Sequence, residues 1–199
     1  MILYTSMKII AVCGKAGSGK DYITSNYIIP YIKQTLNKTV FQLSFADQLK
    51  VNVMTKYNIS YHDLFDKKTE STRKLLQLEG TELGRNIHGQ DIWIQYYKNW
   101  IKILEHRGVD YIITSDLRFQ NELSFLKEEN ATIIKIVSPK RHHNRISIES
   151  NGNIEIYNLF KNHISECDLD NVSDDQFDYI VYNDPENIIQ DELNLEMLF

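Results

Sequence analysis

Five short apolar runs punctuate the chain: Lys8 to Cys13, Thr39 to Phe45, Val109 to Thr114, Thr132 to Val137 and Tyr179 to Tyr182. Their length and nearly unbroken apolar character predict strands buried on both faces of a parallel sheet. Helical spacing follows the first run, with Ile23, Tyr27, Ile28, Tyr31 and Ile32 on one face. Pro30 predicts a stop or kink in that helix near Ile29. Ala46 to His106 reads as mostly helical, and Trp93, Ile94, Tyr97, Trp100, Ile101 and Leu104 form its clearest stripe. Asn121 to Asn130 has the length of a crossover helix, and a last helix is predicted from Pro185 onward. Between them, Ile146 to Glu149 and Ile154 to Ile156 alternate around Asn151-Gly152, a pattern that predicts a β-hairpin. Strands alternating with helices give an α/β fold with helices on both sides of a mainly parallel sheet.

Composition narrows the class. The 199 residues suit a single α/β domain, and 42% apolar with 25% charged residues is globular. Against 22 basic residues stand 27 acidic ones, a net charge of −5. That balance argues against nucleic acid as a partner while leaving room for a local phosphate patch. Two cysteines, Cys13 and Cys167, are too few for a disulfide framework or a four-cysteine metal site. No run reaches the ~18 apolar residues of a membrane span. Met1 to Ser6 is short for a signal peptide, so the expectation is a soluble, cytoplasmic protein of a reducing compartment. Monomer and homodimer both stay open.

The sharpest chemical signal is Gly14-Lys15-Ala16-Gly17-Ser18-Gly19-Lys20-Asp21. In G-x-x-x-x-G-K the glycines let the backbone curl and turn its N–H groups onto phosphate oxygens. Lys20 adds a point charge, and the helix that follows adds its positive end. Where a Ser or Thr hydroxyl usually holds Mg²⁺, this chain has Asp21. Its carboxylate could hold the ion directly, hold it through water, or cap the helix.

Asp116 closes the third apolar run, at the strand end that opens on a ligand crevice. It suits an acid that organises Mg²⁺ or accepts a proton, and equally a helix cap or a partner for Arg118. Arg85, Arg118, Arg141 and Arg145 are candidate phosphate clamps. Arg141 and Arg145 belong to the one dense basic cluster, Lys-Arg-His-His-Asn-Arg, placed like a mobile lid. His142, His143 and His163 have no zinc-like spacing and read as polar residues of that lid or of a helix. The acidic stretch Glu166 to Asp178 reads as a solvated face, and Trp93 and Trp100 as core. A GTPase switch is disfavoured, because Asn37-Lys38 continues into Thr39-Val40 rather than a base-reading motif.

On these residues the chain resembles the deoxynucleoside monophosphate kinases of phages and large DNA viruses, within the P-loop kinases. The resemblance rests on Gly19-Lys20-Asp21, Ser44 to Lys50, Leu76 to Arg85 followed by Asp91-Ile92-Trp93, Ser115 to Glu122, and His163 to Glu166. The most discriminating segments are Gly80-Thr81-Glu82-Leu83-Gly84-Arg85 and Asp116-Leu117-Arg118-Phe119-Gln120-Asn121-Glu122. Animal phosphomevalonate kinase, with a similar Gly-Lys-Asp loop, is the runner-up, and a non-catalytic nucleotide-binding module is a third reading.

The resemblance implies a P-loop NTPase fold, three-layer α/β/α, with a five-stranded sheet and an inserted lid hairpin at about 139–163. It implies ATP and Mg²⁺ as cofactors and a deoxynucleoside monophosphate as the small-molecule partner. Residues 14–21 would hold ATP, with Asp21 and Asp116 toward the metal and Asn183 near adenine. Asp47, Lys50, Arg85, Trp93, Arg118, Glu122 and Glu166 would face the monophosphate. Lys20, Asp116, Arg118, Arg141 and Arg145 would serve the transfer.

Overall fold

The computed structural model describes residues 7–66, 69–185 and 195–197. Five parallel strands form one sheet in the order β2-β3-β1-β4-β5. They are β1 (Lys8–Cys13), β2 (Val40–Gln42), β3 (Tyr111–Leu117), β4 (Thr132–Val137) and β5 (Tyr179–Tyr182). The α/β sheet predicted by the apolar runs is present. Two strands differ in extent: the second run is strand over three residues only, and the third continues through Ser115 and Asp116 to Leu117.

After β1 comes α1 (Lys20–Ile23); between β2 and β3 lie α2 (Asp47–Tyr57), α3 (Glu70–Gln77), α4 (Asn86–His88) and α5 (Ile92–His106). Helix α6 (Gln120–Glu128) links β3 to β4, and α7 (Pro139–Ser150), α8 (Ile154–Lys161) and α9 (Ile164–Cys167) precede β5. The chain divides into two compact units, Leu43–Arg107 and the remainder, Met1–Gln42 with Gly108–Phe199.

In the sheet-bearing unit, Ile10 and Val12 of β1 cluster with Ile113, Ile134, Ile136 and Val181 from the neighbouring strands. Ile23, Ile28 and Ile32 of the first helical run complete that core, and each fully buried isoleucine contributes roughly 2 kcal/mol. The alternate β1 residues Ile9, Ala11 and Cys13 are buried as well, so the strand is covered on both faces.

The first helical run does not stop at Pro30. Wide π-helical turns flank the proline, at Thr24–Ile28 and Tyr31–Thr35. The Ile29 N–H reaches back five residues to the Thr24 carbonyl, and the Leu36 N–H does the same to Tyr31 at 3.1 Å. The extra residue per turn absorbs the ring and the bond that proline cannot make.

The predicted hairpin is a pair of helices. Pro139 occupies the first turn of α7, where its missing N–H costs nothing. His142, Ile146 and Ser150 are buried at four-residue spacing, the period of a helix face, while Ile148 is 77% exposed. Asn151 (φ 49°) and Gly152 (φ 77°) then reverse the chain into α8.

The Leu43–Arg107 unit is helical, with wide turns at His62–Asp66 and Leu78–Arg85. Its core joins Leu49, Val53, Leu64 and Trp93, and the Trp93 indole donates to the Gly80 carbonyl at 2.9 Å. Phe45 and Tyr97 stack with ring centroids 4.4 Å apart. Trp100 is only half-buried and donates to Gln48 at 3.2 Å. The helix predicted from Pro185 lies outside the described residues. Among the described residues no helix is long and apolar enough to cross a membrane.

Candidate active site

Because all five strands run the same way, their carboxyl ends share one edge, and β1 lies between β3 and β4 where the strand order reverses. The loop leaving β1 therefore opens at the switch point where α/β sheets take ligands. Inside it the Ser18 N–H closes a turn on the Lys15 carbonyl at 3.1 Å. Two further loop carbonyls are held by other elements: Ala16 O accepts from His142 Nδ1 at 2.8 Å, and Ser18 O from Asn183 Nδ2 at 2.7 Å. Asn183 Nδ2 also stands where a Gly19 Cβ would be, so this approach excludes a side chain there. Asn183, expected near adenine, is buried beneath the loop with its amide nitrogen given to the loop backbone.

Lys20 is 6% exposed, and its ammonium lies 3.3 Å from the Asp21 carboxylate. The other Asp21 oxygen accepts from the Ser115 hydroxyl at 2.9 Å. Asp116, next in β3, is partly buried. Lysine, aspartate and serine thus meet where the loop turns into helix. Among the described residues no group of three His, Cys, Asp or Glu could cage a metal. The Asp21 side chain is 71% exposed beside a hydroxyl, a donor set that fits Mg²⁺, which keeps several waters and takes phosphate oxygens.

On the loop's other flank a single carboxylate bridges two groups. Glu166 accepts the Ala16 N–H at 2.7 Å and pairs through its second oxygen with Arg118, which also donates to the Ser165 carbonyl at 3.3 Å. Lys15 pairs with Asp170 at 2.7 Å, and the Gln120 N–H donates to Asp168 at 2.7 Å. Asp178 accepts the Ile133 N–H at 2.7 Å, and Asp174 pairs with Lys135 at 2.7 Å. Five carboxylates of the acidic stretch thus find a cation or an N–H donor on other elements, while Asp175 stays exposed among its chain neighbours Ser173 and Gln176.

Arg141 and Arg145, both on α7, also have definite places. Helix α7 lies so close to the loop that a Cβ on Gly17 would stand 2.7 Å from Arg145 Cβ and 3.2 Å from the Arg141 carbonyl. Arg141 Nε donates to the Asn183 carbonyl at 2.6 Å, and Arg145 pairs with Glu149 at 2.5 Å on its own helix. Glu122, expected to face substrate, is 2% exposed and accepts the N–H groups of Arg118 and Phe119 at 3.0 and 3.2 Å. It caps the start of α6.

Asp47, Lys50, Arg85 and Trp93 belong to the Leu43–Arg107 unit. Asp47 accepts the Ser44 N–H at 2.8 Å and pairs with Lys50 at 2.9 Å, while Lys50 sits 4.5 Å over the Phe65 ring. Arg85 is 7% exposed. A cavity of about 180 Å³ in this unit is bordered by Asn52, Glu79, His88, Trp93 and Tyr96. Hydrogen bonds from Lys56 and then Tyr57 hold the Glu79 carboxyl below its ordinary range.

A second cavity of about 180 Å³ adjoins the loop, with Cys13, Leu117, Ile136, His142 and Phe177 in its wall. Burial pushes the Cys13 thiol up to about 12, so it is no nucleophile. The sequence placed His142 among the polar residues of the lid or of a helix and gave Glu79 no role. The buried i, i+4 spacing of His142, Ile146 and Ser150 is the signal that would have placed His142 on an inward helix face.

A model of the deoxynucleotide monophosphate kinase family matches residues 39–188. The glycine loop precedes the matched range and stands on its own geometry. A protein of Acanthamoeba polyphaga mimivirus, provisionally named a deoxynucleotide monophosphate kinase, is 28% identical over 153 residues. That alignment covers 67% of this chain and 75% of the viral protein. The crystal structure of shikimate kinase from Aquifex aeolicus vf5 aligns over 96% of this chain and 94% of its own, with 18% identity and a TM-score of 0.43.

Proposed function

The chain belongs to the deoxynucleotide monophosphate kinase family, and from that premise we propose that it transfers the γ-phosphoryl group of ATP to the 5′-phosphate of a deoxynucleoside monophosphate. The products are ADP and the deoxynucleoside diphosphate. The observation that carries the donor half is Lys20, an ammonium 6% exposed at the junction of a glycine loop and a helix. A buried cation calls for an anion, and its carboxylate neighbour Asp21 is itself mostly in solvent. A polyphosphate tail supplies that anion. The acceptor half rests on the family.

The acceptor oxygen already belongs to a largely ionised phosphate, so the transfer needs alignment and charge screening more than a strong base. Two unit charges ~4 Å apart at an effective dielectric near 20 repel by about 4 kcal/mol. Left unscreened, that costs roughly a thousandfold in rate. Lys20 and the amides of Gly17 and Gly19 hold the donor phosphates. Arg118 grips the acceptor phosphate by exchanging Glu166 for it, and Arg85 is assigned to the acceptor on its family motif. Asp21, bonded to the Ser115 hydroxyl, would hold Mg²⁺, with Asp116, next in β3, assigned to the same role, and the ion when bound supplies neutralising charge to the phosphates. Arg141 and Arg145 would face the triphosphate after leaving their present partners.

The test is a coupled ADP-release assay with MgATP and a panel of deoxynucleoside monophosphates, with phosphomevalonate alongside. ADP release that depends on one or more of the nucleotides is the expected result. Release with phosphomevalonate alone, or with no acceptor, overturns the proposal.

A further inference from the structure

The peptide plane carries information about the loop that no single contact shows. In a trans peptide the carbonyl of residue i and the N–H of residue i+1 point in opposite directions. Whatever fixes one fixes the other. The Ala16 carbonyl is fixed from outside the loop by His142 Nδ1 at 2.8 Å. A carbonyl oxygen only accepts, so Nδ1 carries the proton in this contact. The N–H of Gly17 is thereby turned to the side away from the histidine ring.

His142 is well placed to hold that setting. It is 8% exposed, and its own N–H is locked into α7 by the Ser138 carbonyl at 3.0 Å. Its neighbours on the same helix, Arg141 and Arg145, are the two residues that press on Gly17. The ring therefore has little freedom, and an immobile donor loses little entropy in holding its bond. A further loop carbonyl is treated alike: Asn183 holds Ser18 O at 2.7 Å, which sets the Gly19 N–H. The Ala16 N–H faces Glu166 at 2.7 Å, and the Ser18 N–H is taken by the Lys15 carbonyl at 3.1 Å. Of the four amides from Ala16 to Gly19, one is given to a carboxylate of the protein and one to the loop's own Lys15 carbonyl, while those of Gly17 and Gly19 point away from the side chains that hold the carbonyls before them.

On this geometry, and building on the kinase reading above, we infer that His142 is a positioning residue for phosphoryl transfer: through the Ala16 carbonyl it presets the Gly17 amide toward the donor nucleotide's phosphates. An amide already aimed binds without the cost of reorienting the peptide, and electrostatic preorganisation of this kind is where such sites gain most. His142 touches no reacting atom. It acts on the donor alone, so its loss weakens ATP and leaves the acceptor untouched.

The experiment compares His142→Asn with His142→Gln. Asparagine places its amide nitrogen close to the position of Nδ1, whereas glutamine carries its nitrogen one bond farther and cannot reach the carbonyl in the same way. Titrations of MgATP read the affinity, initial rates read the two KM values and kcat, and thermal melting reads folding. We expect His142→Gln to weaken ATP about tenfold, close to 1.4 kcal/mol, with the acceptor KM unchanged. His142→Asn should recover most of that affinity. Two folded variants that bind ATP as tightly as wild type overturn the inference, as does a loss in both that falls equally on the acceptor. Wild-type protein that binds no ATP overturns the kinase reading and this inference with it. Wild type that binds ATP beside an unaffected His142→Gln overturns the inference alone.

Discussion

Gly17 and Gly152 have nearly the same φ, 79° and 77°, and very different surroundings. Around Gly17 the structure is closed: a Cβ there would meet Arg145 Cβ at 2.7 Å and the Arg141 carbonyl at 3.2 Å. Around Gly152 nothing lies within 4 Å of the same position. One glycine lets the chain turn, while the other also lets a helix press onto a loop. A left-handed residue by itself therefore marks a reversal, and only its packing separates a binding loop from a connection.

The largest effect expected on that contrast comes from Lys20, the charged end of the crowded loop. Lys20→Ala should lower turnover by several orders of magnitude while the thermal midpoint stays near that of wild type. The expected loss exceeds that of a lost surface charge because the ammonium is buried and faces developing charge. Near-normal ADP release by this variant would remove the loop from the chemistry.

Arg118 should rank next. Removing it strands the Glu166 carboxylate, whose side chain is only 10% exposed, against the loop's Ala16 N–H. Truncating one member of such a pair leaves the other charge uncompensated. Arg118→Ala should raise the acceptor KM on the order of ten- to a hundredfold and also weaken ATP. Adding Glu166→Gln should restore ATP affinity and leave the acceptor defect in place. If the double variant recovers neither, Glu166 does not couple the arginine to the loop.

Gly17→Ala follows. A Cβ costs about 1–2 kcal/mol in the left-handed region, and overlap with Arg145 adds about 1–3 kcal/mol as overpacking. The variant should melt earlier and bind ATP at least tenfold more weakly, because α7 and the loop cannot both keep their places. An unshifted melt with wild-type affinity would mean that α7 yields freely.

The same contrast explains what could be read from the chain and what could not. The central strands β1, β3 and β4 were legible because a strand buried on both faces must be apolar nearly throughout, and β1 shows this from Ile9 to Cys13, whereas the edge strands β2 and β5 are more open. The loop was legible because its glycines and lysine are contiguous. Its supports were not: His142 and Glu166 lie 126 and 150 residues from Ala16, and no local pattern records such partners. Asn183 was recognised as a notable residue, but the support it gives the Ser18 carbonyl comes from 165 residues away, whereas the Glu122 cap is local, on the N–H groups of Arg118 and Phe119, and was legible in principle. Residues 146–156 misled because isoleucines two apart look like one face of a strand. On α7 those same residues fall on opposite sides, Ile146 buried and Ile148 exposed. Asn-Gly was read as a two-residue β-turn because such turns also need left-handed residues.

The smallest effect tests that last point. Gly152→Ala meets open space, so its cost is the left-handed backbone alone, about 1 kcal/mol. Part is offset, because alanine also narrows the unfolded ensemble. The melt should fall by a few degrees, while kcat and both KM values hold. In a type I′ hairpin turn the same substitution would disturb strand register and with it the whole lid. Between α7 and α8 it strains one residue and leaves both helices their own hydrogen bonds. Far-UV circular dichroism of the variant should therefore keep its helical content. A large loss of helix, or a kinetic defect as severe as that of Gly17→Ala, would show that the two glycines differ less than their surroundings indicate.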